Sequence, residues 1–164
     1  MQIRLLHRTE LTEEQLRAVE FNPDEHRLIF GGPGSGKTQI LLHRAAYLRD
    51  LWNVSADSYR IFVFTNALKQ YIKSSMGLLD LPEDNVLTFD DWCKKYYTEN
   101  ISNFTPYNKA TRSTDWETIR KRVLDKLSSA KEKPLYDFVL VDEGQDLTQD
   151  IFAIISLIAQ HVTV

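Results

Sequence analysis

A glycine-rich octapeptide at residues 31–38 restricts the fold of this chain more than any other feature. It reads Gly-Gly-Pro-Gly-Ser-Gly-Lys-Thr and satisfies the pattern G-x-x-x-x-G-K-[ST] at every specified position. A short apolar run at residues 28–30 precedes it, and an apolar-periodic stretch that begins at Ile40 follows it. The order of strand, phosphate-binding turn and helix therefore predicts a P-loop. The competing interpretation is a glycine-rich turn that carries an incidental lysine.

The octapeptide offers a binding site for a nucleoside triphosphate and Mg²⁺. Glycines at positions 32, 34 and 36 lack a Cβ, so successive backbone N–H groups can converge on phosphate oxygens at the N-terminus of a helix. The Lys37 ammonium would reach the β- and γ-phosphates, and the Thr38 hydroxyl would coordinate Mg²⁺. The nucleotide-binding residues predicted in this segment are Gly32, Pro33, Gly34, Ser35, Gly36, Lys37, Thr38 and Gln39.

Short apolar runs alternate with helical stretches along the chain. The best strands lie at residues 28–30, 61–64, 86–88 and 138–141, and residues 162–164 begin another. The runs are rich in β-branched and aromatic residues and are bounded by polar turns, which is typical of βαβ units. We therefore predict an α/β fold with a P-loop NTPase core, in which helices cover both faces of a parallel sheet.

Capping signals place the helices. Thr12 and Gln15 form a capping box that predicts a helix through about residue 21. A second capping box begins at Thr114 and predicts a helix that ends near residue 129, and a further helix is expected at residues 151–160. Residues 100–113 are the least regular part of the chain and are predicted to be a mobile loop.

The apolar run at residues 138–141 ends in the sequence Asp-Glu-Gly-Gln-Asp. Polar groups at the carboxyl end of a parallel strand face the ligand crevice of an α/β sheet. There Asp142 would hold Mg²⁺, usually through its water shell, and Glu143 would orient or deprotonate the water that attacks the γ-phosphate. The competing interpretation is an acidic cap for the next helix, and it has most weight for Asp146.

Composition excludes several classes of protein. The 164 residues are 43% hydrophobic and 26% charged, with a net charge of −3, so we expect one globular domain without a general basic field for nucleic acid. Cys93 is the single cysteine, which leaves no internal disulfide and no zinc site. Neither a signal peptide nor a membrane-spanning run is recognisable, so a cytoplasmic protein is expected. The basic stretch at residues 120–133 is interpreted as a solvated helix face.

The P-loop together with Asp-Glu-Gly-Gln-Asp resembles the superfamily 1 helicases of the UvrD, Rep and PcrA type, whose second nucleotide motif reads Asp-Glu-x-Gln-Asp. The resemblance implies a RecA-like domain, the cofactors ATP and Mg²⁺, and catalytic roles for Lys37, Glu143 and Gln145. Leu-Thr-Glu-Glu-Gln at residues 11–15 is similar to the family's N-terminal motif, which implies that Gln15 reads the adenine edge. The competing interpretation is that Gln15 serves only the capping box, which explains this residue without a ligand.

Two further segments look like parts of the family's path for single-stranded DNA. They are Phe-Thr-Asn-Ala-Leu at residues 64–68 and Thr-Phe-Asp-Asp-Trp at residues 88–92. Asp90 and Asp91 stand where common members have His-Ser, and two acids beside a phosphate backbone would oppose binding. Aromatic side chains here could stack on bases, although aromatic residues at strand ends more often belong to the core. The DNA-path residues that the resemblance implies are Phe64, Thr65, Asn66, Thr88 and Phe89.

The resemblance covers residues 11–164, with a reduced helical insertion at about 92–133. It implies one RecA-like domain, residues 1–164, that stops before the sensor motif and before the second RecA-like domain with its γ-phosphate arginines. Such a domain would bind ATP, hydrolyse it slowly and fail to unwind DNA without a second domain or partner protein. The alternative is a non-motor ATP-dependent switch or protein-interaction module. A kinase would want an arginine-rich lid, whereas the candidate loop holds only Arg112, and a GTPase would need an Asn-Lys-x-Asp reader.

Overall fold

The computed structural model describes residues 5–164, with the exception of the Asp146 side chain. Within this range six α-helices alternate with six β-strands. The helices are α1 (Glu13–Val19), α2 (Lys37–Trp52), α3 (Asn66–Met76), α4 (Phe89–Asn100), α5 (Trp116–Ser129) and α6 (Gln149–Ile158). The strands are β1 (Tyr59–Val63), β2 (Val86–Thr88), β3 (Tyr107–Asn108), β4 (Ser113–Thr114), β5 (Tyr136–Val141) and β6 (Ala159–Thr163).

Four of the strands form a parallel sheet in the order β2-β1-β5-β6. The register pairs Ile61 with Leu140, and Leu140 in turn with Thr163. Because all four strands are parallel, their carboxyl ends lie along one edge of the sheet. This edge brings the acidic sequence after β5 next to the segments that follow β1 and β2.

The structure corrects the prediction of a regular strand at residues 28–30. This segment follows β6 in parallel, with the Ile29 amide donating to the Val164 carbonyl oxygen (2.8 Å), but it forms only an isolated bridge between Arg27 and Thr163. Leu28 and Phe30 are 56% and 86% exposed, so the apolar side chains that suggested a buried strand lie on the surface. Apolar character alone therefore misjudged how completely this segment is paired.

Alternate residues of the sheet pack against different helices. Phe62, Val139 and Val141 face a cluster with residues of α4, α5 and α6. Ile61, Val63 and Leu140 point the other way, into a cluster with residues of α2 and α3. This period-two alternation is what a sheet covered on both faces requires, and the predicted α/β architecture is confirmed.

Local capping chemistry fixes several helix starts. The Thr12 hydroxyl accepts from the Gln15 amide (3.2 Å) and the Gln15 side chain accepts from the Thr12 amide (2.9 Å), which confirms the predicted capping box at α1. At α5 the prediction was one residue early, because Asp115 and not Thr114 caps the helix by accepting from the Thr118 amide (3.0 Å). The predicted end of α5 at residue 129 is confirmed.

Two segments differ from the sequence prediction. The segment predicted as an irregular loop contains the short antiparallel pair β3 and β4, in which Tyr107 pairs with Thr114. The last helix ends at Ile158, and β6 begins at once with Ala159, so that strand starts three residues earlier than predicted. Among residues 5–164, no helix combines the length and apolar character needed to cross a bilayer.

A polar cluster surrounds His161 on β6, the last strand in the order of the parallel sheet. The Arg44 guanidinium donates to the Thr163 hydroxyl (2.8 Å), and both groups contact His161 Nε2, at 3.3 Å from Arg44 Nη2 and 2.8 Å from Thr163 Oγ1. Because Arg44 has only donors to offer, His161 Nε2 must be the acceptor, which requires a neutral imidazole. Burial, together with the charges of Arg44, His26 and Arg27, lowers the pKa of His161 to about 4.

Acidification is therefore expected to destabilise the fold through His161. The folded pKa lies below the ordinary value of 6.5, so the stability contributed by the neutral ring is present at pH 7.5 and is lost as the pH falls through 6.5 toward 4. We expect the free energy of unfolding to drop by about 2 kcal/mol between pH 7.5 and pH 5, measured by urea titration. The variant His161→Gln serves as the control and should show a smaller drop, and an equal drop in both proteins would contradict the assignment.

Candidate nucleotide-binding site

The P-loop is a tight turn that only glycine accommodates at two positions. Gly34 and Gly36 have φ angles of 79° and 84°, in the left-handed region that L side chains rarely adopt. The Ser35 amide donates to the Gly32 carbonyl oxygen (3.2 Å), and Gly36 immediately precedes α2. Residues 31–35 are exposed, so the loop lies at the protein surface, directly before the N-terminus of α2.

Gly36 is further restricted by a neighbour, and this gives a direct test of the loop geometry. A Cβ at Gly36 would lie 2.7 Å from Gln15 Nε2, and the φ angle would be strained. We expect Gly36→Ala to cost about 1–3 kcal/mol, measured as a lower Tm without ligand. Gly77→Ala is the matched control, because Gly77 has a φ angle of −60° and open space around its Cβ. Equal Tm values for the two variants would contradict the turn described here.

Lys37 begins α2 and folds back over the loop. Its ammonium donates to the carbonyl oxygens of Gly31 (2.9 Å) and Gly32 (3.2 Å). These carbonyls hold the charge at the mouth of the loop, where a phosphate oxygen would compete for the same donors. The adjacent Gln39 is buried instead, and its side-chain oxygen accepts from the Leu6 amide (3.0 Å). A nucleotide contact for Gln39 stays a prediction, and the described geometry gives it a structural role.

The acidic strand end meets the P-loop helix through one hydrogen bond. Thr38 Oγ1 donates to Asp142 Oδ2 (2.8 Å), across 104 positions of sequence. The other Asp142 oxygen accepts from the Glu143 amide (3.0 Å), and the Asp142 amide donates to the Phe62 carbonyl oxygen (3.0 Å). The carboxylate is therefore held by α2 and by the turn after β5, and the Asp142 backbone is held by β1. This is the juxtaposition of Thr38 and Asp142 that the sequence predicted for a magnesium site.

Asp142 lies in an environment that disfavours its own negative charge. Burial raises its pKa, and the charge of Glu143 adds to this effect, whereas the hydrogen bond from Thr38 and the charge of Lys37 oppose it. A divalent cation would relieve the cost of this buried carboxylate. Among residues 5–145 and 147–164, no three His, Cys, Asp or Glu side chains gather at one point.

Glu143 and Gln145 follow Asp142 on a strained turn. Glu143 has a φ angle of 59°, which is uncommon for a residue other than glycine, and such strain clusters at functional sites. The Gln145 side-chain amide donates to the Glu143 carboxylate. Both side chains lie at the carboxyl end of β5, beside Asp142, so the structure brings together the three residues that the sequence nominated there.

Gln15 lies over the P-loop from the side of α1. Its Nε2 donates to the Ser35 carbonyl oxygen (3.2 Å), while its Oε1 accepts from the Thr12 amide. The capping role and the P-loop contact therefore coexist in one side chain. A carboxamide has two donors and two acceptor positions, so one of each stays available for the edge of a base.

A cavity of about 950 Å³ lies elsewhere, between the N-terminal segment, the outer side of α2 and the turn after α3. It is lined by residues that include Leu6, Tyr47, Leu51 and Leu78, and no P-loop residue contributes to it. A phosphate site made of backbone amides needs no enclosing wall, so an exposed loop can form one. Cavity size therefore does not mark the candidate site in this protein.

A family model described as the UvrD/REP helicase N-terminal domain matches residues 11–135. This chain belongs to that family. The ATP-dependent DNA helicase srs2 of Schizosaccharomyces pombe is 35% identical over 145 residues, which make up 84% of this chain and 16% of that protein. PcrA of Staphylococcus epidermidis is 32% identical over 123 residues, 70% of this chain and 16% of that helicase. The predicted resemblance is confirmed.

Only a small part of each relative corresponds to this UvrD/REP domain. DNA helicase II of Escherichia coli is 36% identical over 69 residues, which make up 42% of this chain and 9% of that helicase. The chain thus spans less than a fifth of these relatives. Their names describe DNA helicases, two of them ATP-dependent.

The DNA-path residues predicted for this UvrD/REP domain divide into exposed and buried groups. Thr65 and Asn66 are exposed at the start of α3, and Phe64 is half-buried against the core. Phe89 is only 1% exposed and packs edge-on against Phe62, so of its two interpretations the structure favours a core residue over a base-stacking face. Thr88 is buried as well and caps α4 by accepting from the Asp91 amide. A side chain that fills the core cannot also stack on a base.

The two acids that sequence analysis placed against DNA are paired in this UvrD/REP domain. Lys69 of α3 donates to Asp91 (2.8 Å), and Arg120 of α5 donates to Asp90 (3.0 Å). Arg120 also contacts Asp150 on α6 (3.0 Å), so it joins three helices. Sequence interpretation took Arg120 for part of a solvated face, and no local signal identifies partners that lie 30 positions away in both directions. The repulsion expected from Asp90 and Asp91 is therefore reduced.

Proposed function

We propose that this chain binds ATP with Mg²⁺ and forms the nucleotide-binding half of a helicase motor that moves along single-stranded DNA. Coupling of hydrolysis to movement would depend on a second RecA-like domain. The observation that carries the proposal is the hydrogen bond between Thr38 and Asp142, because it joins the end of the P-loop to the acidic end of β5. A Gly-rich turn with an incidental lysine has no reason to meet a buried carboxylate there.

Each residue has a separate task in this proposal. The P-loop amides and Lys37 bind the phosphates, Thr38 and Asp142 hold the metal ion, and Gln15 reads the adenine edge. Bound Mg²⁺ would neutralise charge on the phosphate oxygens. Glu143 would orient and deprotonate the attacking water, and its hydrogen bond from Gln145 fixes the carboxylate for that purpose.

Residues 1–164 by themselves should hydrolyse ATP slowly under this proposal. Phosphoryl transfer gains about 10³–10⁵ in rate from an arginine that stabilises the transition state, and we assign that arginine to the second domain. The exposed Thr65 and Asn66 at the start of α3 are the residues best placed to meet a DNA strand. Since Lys69 already pairs with Asp91, phosphate contacts should be few and the binding of this half weak.

Titration of the purified chain with a fluorescent ATP analogue tests the first part. We expect saturable binding with Mg²⁺ and much weaker binding with excess chelator. Binding that is absent or indifferent to Mg²⁺ would remove the proposal. Fluorescence anisotropy with labelled single-stranded DNA at several salt concentrations tests the second part, and a shallow salt slope is expected. ATP turnover at helicase rates by this chain on DNA would contradict the division of labour between two domains.

A further inference from the structure

Arg44 lies on α2, about two turns after Lys37, and its side chain is completely buried. The groups that its guanidinium contacts are neutral hydrogen-bond acceptors. Nη1 donates to the carbonyl oxygens of Val19 and Phe21 (both 2.9 Å), Nε donates to the Thr163 hydroxyl, and Nη2 contacts His161 Nε2. The family comparison and the nucleotide site give this arginine no part.

Burying an arginine in this way costs free energy, because the charged guanidinium is removed from water. Burial, together with the nearby charge of Arg27, lowers the pKa of Arg44 to about 10. Replacing buried charges by apolar side chains of similar volume is often neutral or stabilising, so packing alone is a weak reason for this residue. The Val19 and Phe21 carbonyls at the end of α1, where a helix carries partial negative charge, stabilise the cation.

The contacts of Arg44 connect two sides of the nucleotide site. On one side it holds the last turn of α1, and one turn earlier on that helix Gln15 donates to the P-loop at Ser35. On the other side it holds Thr163, and the following Val164 lies against Gly144 in the loop after β5. A Cβ at Gly144 would lie 2.0 Å from Val164 Cγ1, so this contact is tight.

We propose that Arg44 is a positioning residue for adenine recognition: it fixes the end of α1 so that the Gln15 carboxamide keeps its place over the P-loop. Arg44 does not contact the nucleotide in this assignment. The inference rests on the proposed ATP site, in which Gln15 reads the adenine edge. It adds Arg44 as the residue on which the preference for adenine depends, because Arg44 keeps Gln15 in place. The apolar contacts between α1 and α2, through Val19 and Ile40, hold the helix on its neighbour, and the guanidinium sets its position.

Arg44→Lys tests this, because lysine keeps the charge but loses the planar fork that binds several acceptors at once. The readout is the ratio of the affinities for ATP and GTP with Mg²⁺, by titration with fluorescent analogues. We expect the ATP affinity to fall about tenfold and the GTP affinity to stay unchanged, so that the ratio approaches that of Gln15→Ala. In the Gln15→Ala background, Arg44→Lys should cause no further loss of ATP affinity, as expected for residues that act in series. Equal losses for ATP and GTP, additive losses, or an unchanged ratio would overturn the inference.

Thr163→Val separates selectivity from stability. It removes the hydroxyl that accepts from Arg44 Nε while the bonds to Val19 and Phe21 remain, so it should lower the Tm and leave the nucleotide ratio unchanged. A lowered ratio in this variant would assign the effect to general destabilisation and overturn the proposal.

A measurement on the wild-type protein tests the inference even if the Arg44 variant fails to fold. Hydrogen exchange at the amides of residues 19–22 should slow when ATP binds, slow less with GTP, and lose this difference in Gln15→Ala. Absence of the difference in the wild type would overturn the inference alone. A wild-type protein that binds neither nucleotide would overturn the proposed function and this inference together.

Discussion

Replacing Lys37 with alanine is expected to remove nearly all stabilisation of this protein by ATP and Mg²⁺. At a ligand concentration 100 times its Kd, binding to the folded state adds about 2.7 kcal/mol of stability, which corresponds to roughly 5–11 °C in Tm for a chain of this size. Lys37 offers two or three charge-assisted hydrogen bonds to phosphate, each contributing about 1.5–3 kcal/mol. Loss of two such bonds weakens binding at least about 100-fold, so the variant should retain no more than about 0.4 kcal/mol of ligand stabilisation.

Thermal unfolding with and without ATP and Mg²⁺ measures this effect. Lys121→Ala is the matched control, because Lys121 is exposed on α5 and belongs to no part of the candidate site. The control should keep the full shift in Tm. A Lys37→Ala protein that is stabilised as strongly as the control would show that the octapeptide is a turn without a phosphate role.

Replacing Asp142 with asparagine should have opposite effects on the ligand-free and ligand-bound protein. Burial raises the pKa of Asp142, which means that the ionised carboxylate is less favourable in the folded state than in the unfolded chain. Asparagine keeps an oxygen for the Glu143 amide and can donate to Thr38, so the ligand-free variant should unfold at a higher temperature at pH 7. The Mg²⁺-dependent part of the ATP stabilisation, of the order of 2 kcal/mol at saturating ligand, should disappear because the metal loses its carboxylate.

The comparison that decides this prediction is the ATP-induced shift in Tm with Mg²⁺ against the shift with chelator. In the wild type the two should differ, and in Asp142→Asn they should coincide. Asp125→Asn, at an exposed position of α5, removes one negative charge without touching the site and should behave as the wild type. An Asp142→Asn protein that is less stable without ligand, or that still responds to Mg²⁺, would contradict the role given to this carboxylate.

Chemistry encoded in contiguous residues was predictable from the sequence. The P-loop, the Asp-Glu-Gly-Gln-Asp strand end and the capping box at Thr12 each depend on side chains a few positions apart, and local backbone geometry makes them act together. Strand β2 was predicted with its observed bounds, and β1 and β5 within two residues. The meeting of Thr38 with Asp142 was also predictable, because carboxyl ends of parallel strands share one edge of a sheet.

Arrangements that depend on partners distant in sequence could be decided only by the tertiary structure. The sequence left Phe89 open between a stacking surface and a core residue, and β1 decides for the core by placing Phe62 against it. Asp90 and Asp91 looked like an obstacle to DNA until α3 and α5 supplied Lys69 and Arg120.

The sequence by itself thus determined the family and the fold, and its short motifs predict the phosphate-binding and metal-binding residues. The tertiary structure alone decided which side chains are buried, which charges are neutralised and what Arg44 connects. The physical reason is that burial and charge pairing depend on contacts between residues that are distant in sequence. Residues 44, 19 and 163, for example, meet only after the sheet and its helices have packed.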